Sequence, residues 1–126
     1  MQSFQRRRIL VVDDFALNVS LLQTALEAEG YDVDTATNGN SALAKIEASP
    51  PDLVVLDVMM PGMNGYELTR CIRQNDKLPF IPILLVTGSS EETEVIEELN
   101  IGADDFIRKP INFDRLLARV KSYCHN

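Results

Sequence analysis

The chain has one histidine, His125, and two cysteines, Cys71 and Cys124. Two isolated thiols with no CxxC spacing and no histidine nearby give no zinc site and no redox pair. A histidine so near a chain end is not placed to act as ligand or base. Positive charge is also scarce, with 12 Lys and Arg against 19 Asp and Glu for a net charge of −7. That balance argues against direct gripping of nucleic acid or an anionic membrane, both of which need a basic face. Partners are expected to be basic, apolar or cationic. The only basic run, Arg6 to Arg8, precedes the first expected strand and reads as a solvated strand entry. No apolar run approaches the roughly 18 residues of a membrane span, and none has the length and place of a signal peptide. A cytoplasmic protein is therefore expected. Repeats, linkers and low-complexity stretches are missing too, so residues 1–126, 45% of them hydrophobic, are expected to form one domain around one core.

What is present is an alternation of short β-branched runs with longer stretches of helical period. Ile9 to Val12 is apolar at every residue, as in a strand covered on both faces. From Ala16 to Glu29, Leu17, Leu21, Ala25 and Leu26 fall three or four apart, and Gly30 is placed to end a helix. Asp32 to Ala36 alternates like an edge strand. Asn40 is read as the cap of a helix burying Leu43 and Ile46, which Pro50 and Pro51 stop. Leu53 to Leu56 is a third strand. After the Pro61 to Gly65 loop comes a helix with Leu68 and Ile72, then a strand over Ile81 to Val86. Ser89 and Glu92 suggest a capping box for a fourth helix. A fifth strand near Asp105 to Ile107 precedes a last helix capped by Asn112 and carrying Leu116, Leu117 and Val120. Five strands alternating with five helices predict a doubly wound α/β fold with a parallel sheet.

Four of the apolar runs end in polar residues: Asp13 and Asp14, Asp57, Thr87, and Lys109. Ligands of such sheets bind beyond the carboxyl ends of the strands, where strand order reverses. An order of 2-1-3-4-5 would put the first and third strands side by side there and bring Asp13, Asp14 and Asp57 together. Each residue also has a plainer reading. Asp13 or Asp14 could cap the helix after them, Thr87 could be a turn residue, and Lys109 a solvated charge. Asp57 has no helix to cap, because none can start before about Asn64, and buried aspartates are rare unless paired or metal-bound. Three close carboxylates need a neutralising cation or a raised pKa. A site of oxygen donors without histidine or thiolate suits Mg²⁺. Met59, Met60 and Met63 read as loop packing, since thioethers are soft. With a cation present, Asp57 is a plausible nucleophile toward phosphorus, with Lys109 as second positive charge and Thr87 as hydrogen-bond donor.

The ordered segments VVDD, LVVLDVMMPGMNG, LLVTG and GADDFIRKP resemble the receiver domains of two-component response regulators, over essentially the whole chain. The resemblance implies a flavodoxin-like fold and a phosphoacceptor at Asp57. It implies Mg²⁺ held by Asp14 directly, Asp13 through water, Asp57, and the backbone carbonyl of Met59. Thr87 is the implied switch hydroxyl, Phe106 the switch aromatic, and Lys109 the phosphoryl contact, with a cis peptide before Pro110. Gly88 and Met59 flank the path of attacking water, the glycine leaving it open and the methionine obstructing it. Phe106 stands where some members have tyrosine, so an output that needs that hydroxyl is not expected.

The function implied is phosphorelay signalling, without enzymatic action on other molecules. A histidine kinase or histidine phosphotransfer protein donates the phosphoryl group, Thr87 and Phe106 shift inward, and the surface of the fourth helix, fifth strand and fifth helix changes. A downstream protein or attached effector domain reads that surface. The chain is expected to be a monomer or a weak phosphorylation-dependent dimer. Glu91, Glu92, Glu94, Glu97 and Glu98 on the fourth helix suggest a basic or mixed partner. Two rivals are weighed. An aspartate-based phosphatase needs an acid two residues after the nucleophile, where this chain has Met59. A pseudo-receiver acting only as a binding module should have lost some of the site residues, and this chain keeps them.

Overall fold

The computed structural model describes residues 6–88 and 102–124. In chain order these form β1 (Arg8–Val12), α1 (Ala16–Ala28), β2 (Asp32–Ala36), α2 (Gly39–Ala48), β3 (Leu53–Asp57), α3 (Gly65–Gln74), β4 (Ile83–Thr87), β5 (Asp105–Arg108) and α4 (Phe113–Cys124). The strands make one parallel five-stranded sheet in the order β2-β1-β3-β4-β5, as the sequence predicts. The described residues hold four helices where five are expected. The helix expected after β4, with its Ser89–Glu92 cap and its glutamates, falls outside the described residues, as does His125. No helix among the described residues is long and apolar enough to cross a membrane.

The continuous apolar runs follow from burial on both faces. Strand side chains alternate sides, so Leu10, Val12, Val54, Leu56, Ile83 and Leu85 pack toward α2 and α3. Ile9, Val11, Leu53, Val55, Leu84 and Val86 pack toward α1 and α4. Burying each such side chain contributes about 1.5–3 kcal/mol.

Two local expectations are corrected. In α1 the buried residues are Val19, Leu22 and Leu26, while Leu17 and Leu21 are 57% and 49% exposed. The helix carries apolar residues on more than one stripe, and the one that seals Ile9 and Val11 of β1 is centred on Leu22 and Leu26. In α2 the cap is Asn38, whose side-chain oxygen accepts the Ser41 N–H at 2.7 Å, not Asn40. Gly39 is already inside the helix, tight against Met63: a Cβ there would lie 2.7 Å from the Met63 Cβ. The cap of α4 is as predicted, with Asn112 accepting the Arg115 N–H at 3.1 Å.

Candidate functional site

Pairing register decides which polar residues meet. Val12 is opposite Leu56, so Asp13 and Asp57 leave the adjacent strands β1 and β3 at the same level. Asp57 is opposite Val86, which puts Thr87 at the end of β4 one residue farther on. Lys109 follows β5 and extends its ladder, its N–H donating to the Thr87 carbonyl at 2.7 Å. The Lys109–Pro110 peptide is cis, as expected.

The three carboxylates converge: Asp13, Asp14 and Asp57 each offer an oxygen, all within 4.8 Å of one another. Asp13 and Asp57 are buried and Asp14 is exposed. Asp13 is not the cap of α1; Phe15 holds that position, and Asp13 Oδ1 accepts the Phe15 N–H at 2.9 Å. Lys109 Nζ lies 3.1 Å from Asp57 Oδ1. This is an ion pair by distance without the direction of a hydrogen bond, since Asp57 Oδ1 is among the buried polar atoms that lack one. Thr87 Oγ1, on a fully buried residue, is the other such atom among the described residues.

Burial raises the Asp57 pKa above its ordinary value, and the Asp13 carboxylate adds to this. Lys109 and a hydrogen bond from the Met59 backbone oppose them without reversing the direction. Orphaned buried polar groups are costly and call for an explanation. The donor set here is hard oxygen with excess negative charge, the chemistry that fits Mg²⁺.

The remaining predicted residues differ in burial. The Met59 side chain is 64% exposed, and Gly88 is exposed. Phe106 is half-buried against the core on the α2 and α3 side. Cys71 and Cys124 are free thiols. Burial, and then the nearby Asp52 carboxylate, push the Cys124 pKa up to about 11, leaving it unreactive at neutral pH.

Several contributors escape a reading by sequence. Gly65 opens α3 directly after the strand that carries Asp57: its N–H donates to the Val58 carbonyl at 2.9 Å. A Cβ there would come within 2.6 Å of the Asp57 carbonyl oxygen. Asn64 and Glu67 form a reciprocal capping box on the same helix. Gly62 takes φ +74°, which favours glycine. Phe15, which follows Asp14, and Leu17, Leu21 and Met59 are exposed apolar residues. A groove of about 240 Å³ next to Lys109 lies between Leu21, Ile111 and Phe113.

A family model described as the response regulator receiver domain matches residues 9–121. The alkaline phosphatase synthesis transcriptional regulatory protein PhoP of Bacillus subtilis is 48% identical over 92% of this chain and 48% of its own length. The response regulator PleD of Caulobacter vibrioides is 45% identical over 91% of this chain and 25% of its own. The chain thus spans about half or a quarter of the length of these relatives. Among solved structures, a putative response regulator from Chloroflexus aurantiacus superposes with a TM-score of 0.88 at 32% identity, covering 97% of this chain and 100% of that one. Chemotaxis protein CheY4 of Vibrio cholerae does so with a TM-score of 0.84 at 31% identity, covering 94% and 99%.

Proposed function

The chain belongs to the response regulator receiver family, and on that basis we propose that it accepts a phosphoryl group on Asp57 from a phosphohistidine of a histidine kinase or histidine phosphotransfer protein. The observation that carries this reading is the Asp57 carboxylate: buried, raised in pKa, grouped with Asp13 and Asp14, and facing Lys109 at 3.1 Å. An Asp57 oxygen attacks phosphorus in line, the P–N bond to the donor imidazole breaks as the O–P bond forms, and the imidazole keeps the bond's electron pair. Asp13, Asp14, Asp57 and the Met59 carbonyl would hold Mg²⁺, which when bound offsets the charge of the three carboxylates and of the phosphoryl oxygens. Lys109 supplies positive charge from the β5 side. Thr87 offers its unpartnered hydroxyl to a phosphoryl oxygen.

The groove of Leu21, Ile111 and Phe113 beside Lys109 supports docking of a protein donor, because exposed apolar surface beside a polar site marks protein interaction. Drawing Thr87 toward the phosphoryl group would free space for Phe106 to turn inward, altering the surface around β5 and α4 that a downstream protein or an attached effector domain reads. Residues 1–126 act as one signalling domain in the cytoplasm, and the chemistry of that domain is its own phosphorylation and dephosphorylation.

Intact mass after incubation with Mg²⁺ and acetyl phosphate tests the reading. One added phosphoryl group is expected, absent from Asp57→Asn. No adduct with any donor rejects it in favour of a binding module, and rapid turnover of unrelated phosphoesters would favour a phosphatase.

A further inference from the structure

Met59, Met60 and Met63 lie in the loop that leads from Asp57 to α3, and the last two anchor it. Met60 is buried in the core between the sheet and the helices α2 and α3, and Met63 is partly buried against the same core. The Met59 side chain points the other way, 64% exposed, while a hydrogen bond from its backbone reaches Asp57. The ends of the loop are fixed as well. Val58 N–H donates to the Val86 carbonyl at 3.0 Å, and Gly65 N–H donates to the Val58 carbonyl at 2.9 Å. The far side of the loop rests on the first residue of α2. A Cβ on Gly39 would lie 2.7 Å from the Met63 Cβ, 2.8 Å from its Cγ and 2.9 Å from its carbonyl oxygen. Ordinary contact between carbon atoms begins at about 3.5 Å, so a side chain there drives away the Met63 backbone and not merely the end of its thioether. The helix has little room to yield instead, since Asn38 caps it and Ala42 and Ile46 are fully buried. Gly39 does not take a positive φ, and glycine is less stable than alanine in a helix. What its missing side chain provides is the close approach of Met63.

We infer that Gly39 is a positioning residue for the candidate metal site: its bare Cα lets Met63 seat the loop that sets the Met59 backbone beside Asp57. The inference deepens the function proposed above and rests on the assignment of the Met59 carbonyl to Mg²⁺. Mg²⁺ demands near-octahedral oxygen geometry at about 2.0–2.1 Å. A loop pushed off Gly39, closed at both ends and held by Met60, takes up the displacement between those anchors, where Met59 lies. Groups that orient a metal ligand without touching the ion typically change metal affinity by about 10–100-fold when they are altered.

The test is an amide NMR titration of the full chain with MgCl₂ at constant ionic strength, which measures affinity apart from any phosphoryl transfer. Gly39→Ala is expected to bind Mg²⁺ at least about tenfold more weakly than the parent, although alanine favours the helix. Met63→Ala removes the anchor from the other side without crowding Gly39, and decides the matter should Gly39→Ala fail to fold. It is expected to weaken binding as well, and Met63→Leu, closer in volume, to bind more tightly than Met63→Ala. Ala44→Gly, at an exposed position of α2, weakens the helix without touching the loop and is expected to keep the parent's affinity. Parent affinity in both Gly39→Ala and Met63→Ala, or an equal loss in Ala44→Gly, overturns the inference while leaving the metal assignment in place. A parent that shows no response to Mg²⁺ at the strand ends overturns that assignment, and the inference with it.

Discussion

Asp57 loses free energy by being charged where it is. Its pKa is raised because burial and the Asp13 carboxylate outweigh the attraction of Lys109 and the Met59 hydrogen bond. The folded protein then binds this proton more tightly than the unfolded chain does. Stability associated with the group falls as pH rises from the ordinary value of 3.8 through the raised folded value, and is level above that. Asp57→Asn is therefore expected to stabilise the protein at neutral pH in chelator, by on the order of 1 kcal/mol, with the gain fading as pH drops below the window. Urea titrations at neutral and acidic pH measure both; a destabilised variant at neutral pH would show that the Lys109 contact dominates. Asp57 was legible in the sequence because no helix begins near enough for it to cap. Gly65 was not, because its requirement comes from the backbone of Asp57 and Val58 folding back against it. Helix propensity alone predicts that Gly65→Ala stabilises by up to about 1 kcal/mol. The added Cβ meets backbone that cannot rotate away, and such overpacking costs about 1–3 kcal/mol. The expected outcome is a lower Tm together with slower labelling of Asp57 by acetyl phosphate.

Among the elements, β3 and β4 were readable because both faces are buried and every residue of each is apolar up to the terminal Asp57 and Thr87. The facing of α1 was not. Leu17, Leu21, Leu22 and Leu26 satisfy more than one helical stripe, and only packing on β1 chooses between them. The misassigned leucines are instead exposed, and Leu21 lines the groove beside Lys109. Replacing Leu17 and Leu21 together with serine should leave the Tm within about 1 kcal/mol equivalent of the parent, as for other exposed positions. Phosphotransfer from a phosphohistidine protein should fall at least about tenfold while labelling by acetyl phosphate stays unchanged. Equal loss with both donors would place the defect in the pocket and not in docking. A second element-level contact, invisible in local sequence, is Arg73 of α3. It donates to the carbonyls of Ile81 and Gly102 and to the Asp104 carboxylate, each within 2.8 Å, and lies over the Phe80 ring. Asp104 in turn accepts the Ile83 N–H, so α3 secures the starts of both β4 and β5. These bonds join residues up to 31 positions apart, and periodicity carries no trace of such pairings.

For the molecule as a whole, net charge and local charge point the same way. The chain carries −7 overall, and the carbon ends of β1 and β3 concentrate three carboxylates within 4.8 Å. A divalent cation bound only by the folded arrangement stabilises it by mass action, about 2.7 kcal/mol at a hundredfold excess over Kd. Monovalent salt relieves the general repulsion by screening, with no preference for the pocket. Mg²⁺ is accordingly expected to raise the Tm beyond an ionic-strength-matched NaCl control. Asp57→Asn should begin more stable in chelator and gain less from Mg²⁺ than the parent, so that the two stability curves converge or cross as Mg²⁺ increases. Thermal melts across a Mg²⁺ titration read this directly. Parallel curves for the parent and Asp57→Asn would mean that the cation acts on the acidic surface at large and that the strand ends do not form its site.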